Sequence, residues 1–469
     1  MNHLKTLLCL LLLTFSFDLF ANISLPSIFG HHMVLQQQET VNFWGWGKPG
    51  EEVHITCSWS PETDYKTIVS NLGKWNIDVS TPEAGGPFNI HIKGYNAIDI
   101  EDVLIGEVWL GSGQSNMEWT PALGIDNAEE EKVKANYPEI RFFNVLSSTA
   151  DTPQQQLHGE WVKCTPESMY YFSALLYFFG RELHQQMNVP VGLINSSWGG
   201  TPVEVWIHES AIQNDRILAK NASLLQEMSW GPHQPGKAYN TMIHPLIPYK
   251  IKGALWYQGE TNTANPHHYA RTLKTLIETW RAEWGYDFPF YYAQIAPYRD
   301  YGNDNVNGAV VRDQQRKVME LVPNTGMVVT SDIGNLDNIH PGNKQDVGKR
   351  LATWALSKQY GKVGYAFSGP AYKAYELKQD KIILSFDYAE SGLVAKGGDL
   401  KAFEIQGDDE KWYSASAKIK GNKVTVWSDK VSHPTAVRYG YSNDSDPKLF
   451  NESGLPASCF LFYINSPEL

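Results

Sequence analysis

Cysteine is scarce: the 469 residues contain four. None stands in a C-x-x-C pair, which excludes a dense disulfide scaffold and a zinc cluster of that spacing. One bridge among Cys57, Cys164 and Cys459 stays open, and the sequence does not say which pair would form it. Positive charge is also sparse, with 39 Lys and Arg against 51 Asp and Glu, a net charge of −12. No Lys/Arg stripe or basic tail is present, so no nucleic-acid partner is expected. No H-E-x-x-H pattern occurs, and neither a metal nor a cofactor is expected. There is no internal repeat and no low-complexity tract.

One long apolar run exists, at the N-terminus, MNHLKTLLCLLLLTFSFDLFANISLP. Lys5 supplies a basic start, and Leu7 to Phe17 is an apolar stretch too short to span a bilayer comfortably. Leu19-Phe20-Ala21 suits cleavage, so residues 1–21 read as a signal peptide and the mature chain as secreted or periplasmic. An uncleaved anchor is the alternative. Cys9 lies inside the apolar run, which argues against lipid attachment there. No later stretch is long and apolar enough for stable membrane insertion.

What is abundant is aromatic: 16 Trp, 24 Tyr and 19 Phe. Buried β-structure accounts for many aromatics, and stacking on the C–H face of a sugar is the sharper use. Residues 22–102 carry short alternating runs such as Thr40–Trp46, Glu52–Ser58 and Lys74–Val79, broken by Gly and Pro turns. This spacing predicts a small β-sandwich. Near residue 103 the pattern changes. Apolar runs at Val103–Leu110, Pro190–Asn195, Gly253–Tyr257, Pro289–Ile295 and Gly326–Thr330 alternate with helical periodicity at Ser168–Gln186, His268–Trp284 and Asn343–Tyr360. Residues 103–362 therefore predict one α/β domain, a parallel sheet with helices on both faces. Residues 363–469 return to the strand-and-turn signature and predict a second sandwich.

Four segments carry candidate chemistry, three of them at strand ends, where open α/β sheets bind ligands, and one just before the helical pattern at 343. Gly113-Gln114-Ser115-Asn116 follows the first core strand, and a nucleophilic serine needs such an exposed position near backbone N–H donors. Asp337-Asn338-Ile339-His340-Pro341 holds a carboxylate three residues before an imidazole. In a turn, that carboxylate can orient the ring and leave the other nitrogen free to take a serine proton. Trp198-Gly199-Gly200-Thr201 offers unobstructed glycine N–H groups, and Gln258-Gly259-Glu260 offers an amide and a carboxylate. Taken singly, each segment also reads as a turn, a helix cap or a surface pair.

Together the segments resemble the sialate O-acetylesterase family of the SGNH hydrolase superfamily. Val108 to Trp119 is similar to its nucleophile block, Trp198 to Trp206 to its second block, and Tyr257 to Glu260 and Asp337-x-x-His340-Pro341 to two later ones. Leu25 to Phe29, Met33 to Gln36 and Gly392 to Ala395 are also similar, so the match runs nearly the full length. The resemblance implies a flavodoxin-like SGNH hydrolase core with added β-sandwiches and a metal-free serine esterase mechanism. It implies Ser115 as nucleophile, His340 as base and Asp337 as its orienter, with Asp332 a nearby competitor for the last role. The implied oxyanion donors are the Ser115 N–H, Gly199 or Gly200, and Gln258. Gln258 stands where the superfamily has Asn, and Gln114 where it has Asp. Gln114, Asn116 and Glu260 are candidates for substrate binding. The implied substrate is an acetylated sugar or glycan, 9-O-acetylated sialic acid first and acetylated xylan or xyloglucan second. A sialate carboxylate asks for a cation, for which Arg299 and Arg312 are the candidates. A non-catalytic carbohydrate-binding protein is the reading from another class.

Overall fold

The computed structural model describes residues 22–302 and 304–465. The expected signal peptide lies outside the described residues. Among the described residues, no helix is long and apolar enough to cross a membrane.

The N-terminal region forms strands where the sequence alternates. In Thr40–Trp46, Val41 and Phe43 turn inward, and the strand pairs antiparallel with Lys74–Ser80, whose Trp75, Ile77 and Val79 are also buried. Glu52–Cys57, Ser60–Ile68 and Gly85–Lys93 form a second antiparallel set. Inward residues of both sets, among them Phe43, Val53, Ile55 and Ile92, share one core.

Ala97–Gly113 is a single strand of 17 residues. Its first part pairs with Gly85–Lys93, half exposed, whereas Val103–Gly113 is buried on both faces. That change marks entry into a sheet covered from both sides. The boundary expected at 102/103 thus falls inside one continuous strand, and the N-terminal and core strands share a hydrogen-bonded sheet. The core order is Thr325–Val328, Phe290–Ala293, Gly253–Tyr257, Ala97–Gly113, Val191–Ser197, Tyr137–Asn144, Trp161–Cys164, parallel except for the last pairing. The first five of these have flavodoxin-like order. The chain reverses direction across the sheet beside Ala97–Gly113, the switch point where such sheets bind ligands.

Helices cover both faces. Ala174–Met187 and Lys344–Lys358 pack over Trp109, Leu193 and Leu255, while Tyr269–Trp284 and Asn307–Leu321 pack over Leu110, Ile194 and Trp256. The helix expected over Ser168–Gln186 is two helices, Pro166–Tyr170 and Ala174–Met187. The break is Ser173, whose Oγ accepts the Leu176 N–H at 3.2 Å as a cap and donates to Met117 O at 2.6 Å.

The C-terminal region is a sandwich of two four-stranded antiparallel sheets, one built on Lys381–Asp387 and one on Phe403–Gln406. Ile382, Leu384, Ile405, Val437 and Phe460 meet between them. Cys57, Cys164 and Cys459 are all free and buried, so no bridge joins them. Burial pushes the thiols of Cys57 and Cys164 up to about 12, which leaves them as inert core groups.

Candidate active site

Ser115 stands just past the central strand because Gly113 turns there. Gly113 has φ +137, and a Cβ on it would lie 2.2 Å from Tyr257 O, so only glycine lets the two strand ends pass this closely. Gln114 N–H donates to the same Tyr257 O at 3.0 Å. The one-turn helix Ser115–Glu118 follows. Across the crevice, Ser115 Oγ lies 2.8 Å from His340 Nε2. The Trp119 indole stacks on the imidazole at 3.9 Å between centroids, tilted by 16°. Burial, and then the Lys344 ammonium, lower His340 to about 4. The ring is therefore neutral near pH 7 and able to accept the serine proton.

Asp337 is placed otherwise than expected. Its carboxylate meets Arg299, it is 75% exposed, and no hydrogen bond joins it to His340. The turn explains this. Asn335 Oδ1 accepts the Asp337 N–H and Asn338 Oδ1 accepts the His340 N–H, both at 2.9 Å, so asparagine side chains shape the loop. His340 Nδ1 is left without a partner among the described residues. Asp332 does not compete for it, being held by both terminal nitrogens of Arg350 at 2.7 and 2.8 Å.

The expected oxyanion donors divide. Ser115 N–H heads its short helix, where no helical acceptor is available, and it is unpartnered among the described residues. Gly200 N–H is likewise unpartnered among the described residues, and Gly200 lines the same cleft. Gly200 has φ +74, and a Cβ there would sit 2.1 Å from Trp230 Nε1. Gly199 N–H is occupied, donating to Glu118 Oε2 at 2.6 Å. Gln258 does not reach the cleft. It is fully buried, and its amide nitrogen bonds Gln114 Oε1, Thr201 O and Asn262 Oδ1, while its oxygen accepts from Tyr269. Gln258 ties three turns together and leaves no N–H for an oxyanion.

The substrate-binding candidates also separate. Gln114 and Glu260 line the cleft of about 540 Å³ that holds Ser115 and His340. Gln114 Oε1 already accepts from Gln258 and the Gly259 and Thr261 N–H groups. Glu260 Oε1 accepts from Asn116 at 2.6 Å, but its Oε2 is buried without a partner among the described residues. Burial pushes the Glu260 carboxyl up. Asn116 sits behind the cleft, bonded also to Ile339 O at 3.0 Å and to the Lys344 ammonium at 2.6 Å. Lys344 is 1% exposed, and burial lowers it to about 7. Arg312 is buried against the C-terminal sandwich, donating to the Ser442 and Asn443 carbonyls, and Arg299 is on Asp337. Neither arginine lines the cleft.

Glu118, Trp198, Trp230 and Lys344 belong to the site and had no assigned role from sequence. Glu118 shares the nucleophile helix, a signal that spacing alone offered. Trp230 lies on a loop with no recognisable pattern and is 62% exposed. Trp198 and Trp230 also border a second cleft of about 620 Å³ with Asp151, His233 and Lys237 on its walls.

The sialic acid-specific acetylesterase family of carbohydrate esterases matches residues 105–357. The human sialate O-acetylesterase is 31% identical over 93% of this chain and 92% of its own. The rat sialate O-acetylesterase is 31% identical, with 89% of both chains covered. Among solved structures, a carbohydrate acetylesterase from Xanthomonas citri superposes with a TM-score of 0.86 at 35% identity, covering 94% of this chain and 99% of that one. The chain belongs to the sialic acid-specific acetylesterase family of carbohydrate esterases and is a carboxylic ester hydrolase.

Proposed function

We propose that this protein removes O-acetyl groups from carbohydrate through an acetyl-enzyme on Ser115. The observation that carries the proposal is the 2.8 Å contact between Ser115 Oγ and a neutral His340 imidazole. His340 takes the serine proton as Oγ attacks the acetyl carbonyl. Ser115 N–H and Gly200 N–H, both unpartnered at the cleft, hold the oxyanion. Collapse breaks the ester bond, and His340 protonates the departing sugar oxygen, which leaves as a hydroxyl. Water, deprotonated by His340, then releases acetate and restores the serine.

Asp337 completes the set in this proposal. It is three residues from His340, and its pair with Arg299 is exposed on both sides. Such pairs contribute about 0–1 kcal/mol, so leaving Arg299 for Nδ1 as the imidazolium forms costs little.

The relatives' names favour an acetylated sialic acid as substrate. The charge of the cleft favours a neutral sugar such as acetylated xylan, because Glu118 and Glu260 line it and no Lys or Arg does. Lys237, which lines the adjoining cleft, is paired with Asp151. Acetate release from acetylated sialic acid and acetylated xylan, measured side by side, tests both. Activity on neither, with an aryl acetate still cleaved, would place the natural ester outside these two sugars. Export through residues 1–21 is part of the proposal, checked by sequencing the N-terminus of the exported protein, which should begin near Asn22.

A further inference from the structure

A third cleft lies away from the catalytic one, between the N-terminal sheet and the α/β core, with a volume of about 490 Å³. Its floor is the outer face of the Thr40–Trp46 and Lys74–Ser80 pair. Along Thr40–Trp46, Val41, Phe43 and Gly45 are buried, which leaves Asn42, Trp44 and Trp46 on the opposite, half-buried face. Trp44 meets Phe29 edge-on at 4.6 Å between centroids, and the Trp46 indole N–H donates to Gln155 Oε1 at 3.4 Å, so both indoles are anchored where they line the cleft. Strand geometry sets them about 7 Å apart. Asn76 stands opposite Trp44 and Lys74 opposite Trp46. Gln155 and His244 from the core form the facing wall, and no carboxylate lines the cleft.

Apolar faces rimmed by amides and one ammonium match a pyranose, which has an apolar C–H face and a girdle of hydroxyls. Position strengthens the match. Asp151 walls the cleft that adjoins the catalytic site through Trp198 and Trp230, and Gln155, four residues on, walls this one. Four residues of extended chain span at most about 14 Å, a few sugar units. The segment is fixed in place: Gln154 N–H donates to Asn240 O at 2.7 Å and Gln154 O meets His244 Nδ1 at 2.7 Å.

We propose that this cleft is a distal glycan subsite, where Trp44 and Trp46 stack pyranose rings of a polymer whose acetylated unit lies at Ser115. The proposal rests on carbohydrate being the substrate. The experiment compares wild-type enzyme with Trp44→Ala/Trp46→Ala on p-nitrophenyl acetate and on acetylated xylan. The expected result is an unchanged rate on the aryl acetate and a KM for the polymer raised by about tenfold, the scale of losing one or two aromatic contacts. Asn76→Arg, at an exposed position opposite Trp44, narrows the cleft without touching the core and should raise the polymer KM in the same way. That variant keeps the test valid where the double tryptophan change lowers both activities through folding. Polymer KM unchanged in Asn76→Arg, or lost in parallel with the aryl acetate rate, overturns the subsite. Wild-type enzyme inactive on the aryl acetate and on both acetylated sugars overturns the esterase proposal instead.

Discussion

Glu118 Oε2 accepts the Gly199 N–H at 2.6 Å, across the mouth of the crevice that holds Ser115. Burial raises the Glu118 carboxyl, and the Gly199 N–H offsets only part of that rise. The pair fixes the turn that presents Gly200. Glu118→Ala removes the acceptor and should lower kcat/KM on an aryl acetate by about tenfold to a hundredfold, the scale of one hydrogen bond to a charged group. Glu118→Gln keeps an acceptor oxygen and should lose less. A rise in activity for Glu118→Ala would mean that the carboxylate had been covering an oxyanion donor.

Removing Lys344 should move the acid limb of the pH profile. A positive neighbour disfavours imidazolium, and here it adds to burial in holding His340 near 4. Activity needs the neutral ring, so kcat/KM should fall as pH drops through that value. In Lys344→Met the limb should shift to higher pH, towards the ordinary histidine range, but only part of the way because burial remains the larger cause. The check is kcat/KM against pH for both proteins, with a thermal melt to confirm folding. An unmoved limb in a folded variant removes Lys344 from the electrostatics of the base.

Asp337 and Arg299 should respond in opposite senses. Asp337→Asn should lower kcat by about a hundredfold or more if its carboxylate supports the imidazolium. Arg299→Ala frees that carboxylate and should leave activity at least at the parental level. Steady-state kinetics of the two single variants decide it, and an Asp337→Asn rate within twofold of the parent would show that Ser115 and His340 work as a pair.

Gln258 should matter for stability more than for turnover. Gln258→Ala strips partners from Gln114, Thr201, Asn262 and Tyr269, all buried or nearly so. The expected cost is about 2–4 kcal/mol in denaturant unfolding. The fraction still folded should retain most of its kcat. A stable variant that loses a hundredfold in kcat would restore Gln258 to the oxyanion hole.

Much of this architecture was legible because periodicity reports burial directly. Gly253–Tyr257 is a strand at the expected bounds, and the helix expected over His268–Trp284 is Tyr269–Trp284, closed by Gly285 in the left-handed region. The helix Asn307–Leu321 was hidden because its buried face carries Arg312 and Gln315, which bond distant segments, and Asp313 and Arg316, which pair with each other inside the helix. Ser115 and His340 could be picked out because their segments resemble the family's blocks, since each turn alone also reads as a plain loop or a helix cap. The destinations of Gln258, Arg312 and Asp337 could not, because side chains able to serve a pocket serve a buried network, a domain contact or a surface pair equally well. Only three-dimensional neighbours choose among these.

The most direct measurement of the central claim is mass spectrometry of peptides from enzyme quenched during turnover of p-nitrophenyl acetate. The account predicts one added acetyl group on the peptide carrying Ser115, absent in Ser115→Ala, which should fold normally and lose nearly all turnover. An acetyl group on a different residue, or a Ser115→Ala protein cleaving the ester at the parental rate, would contradict it.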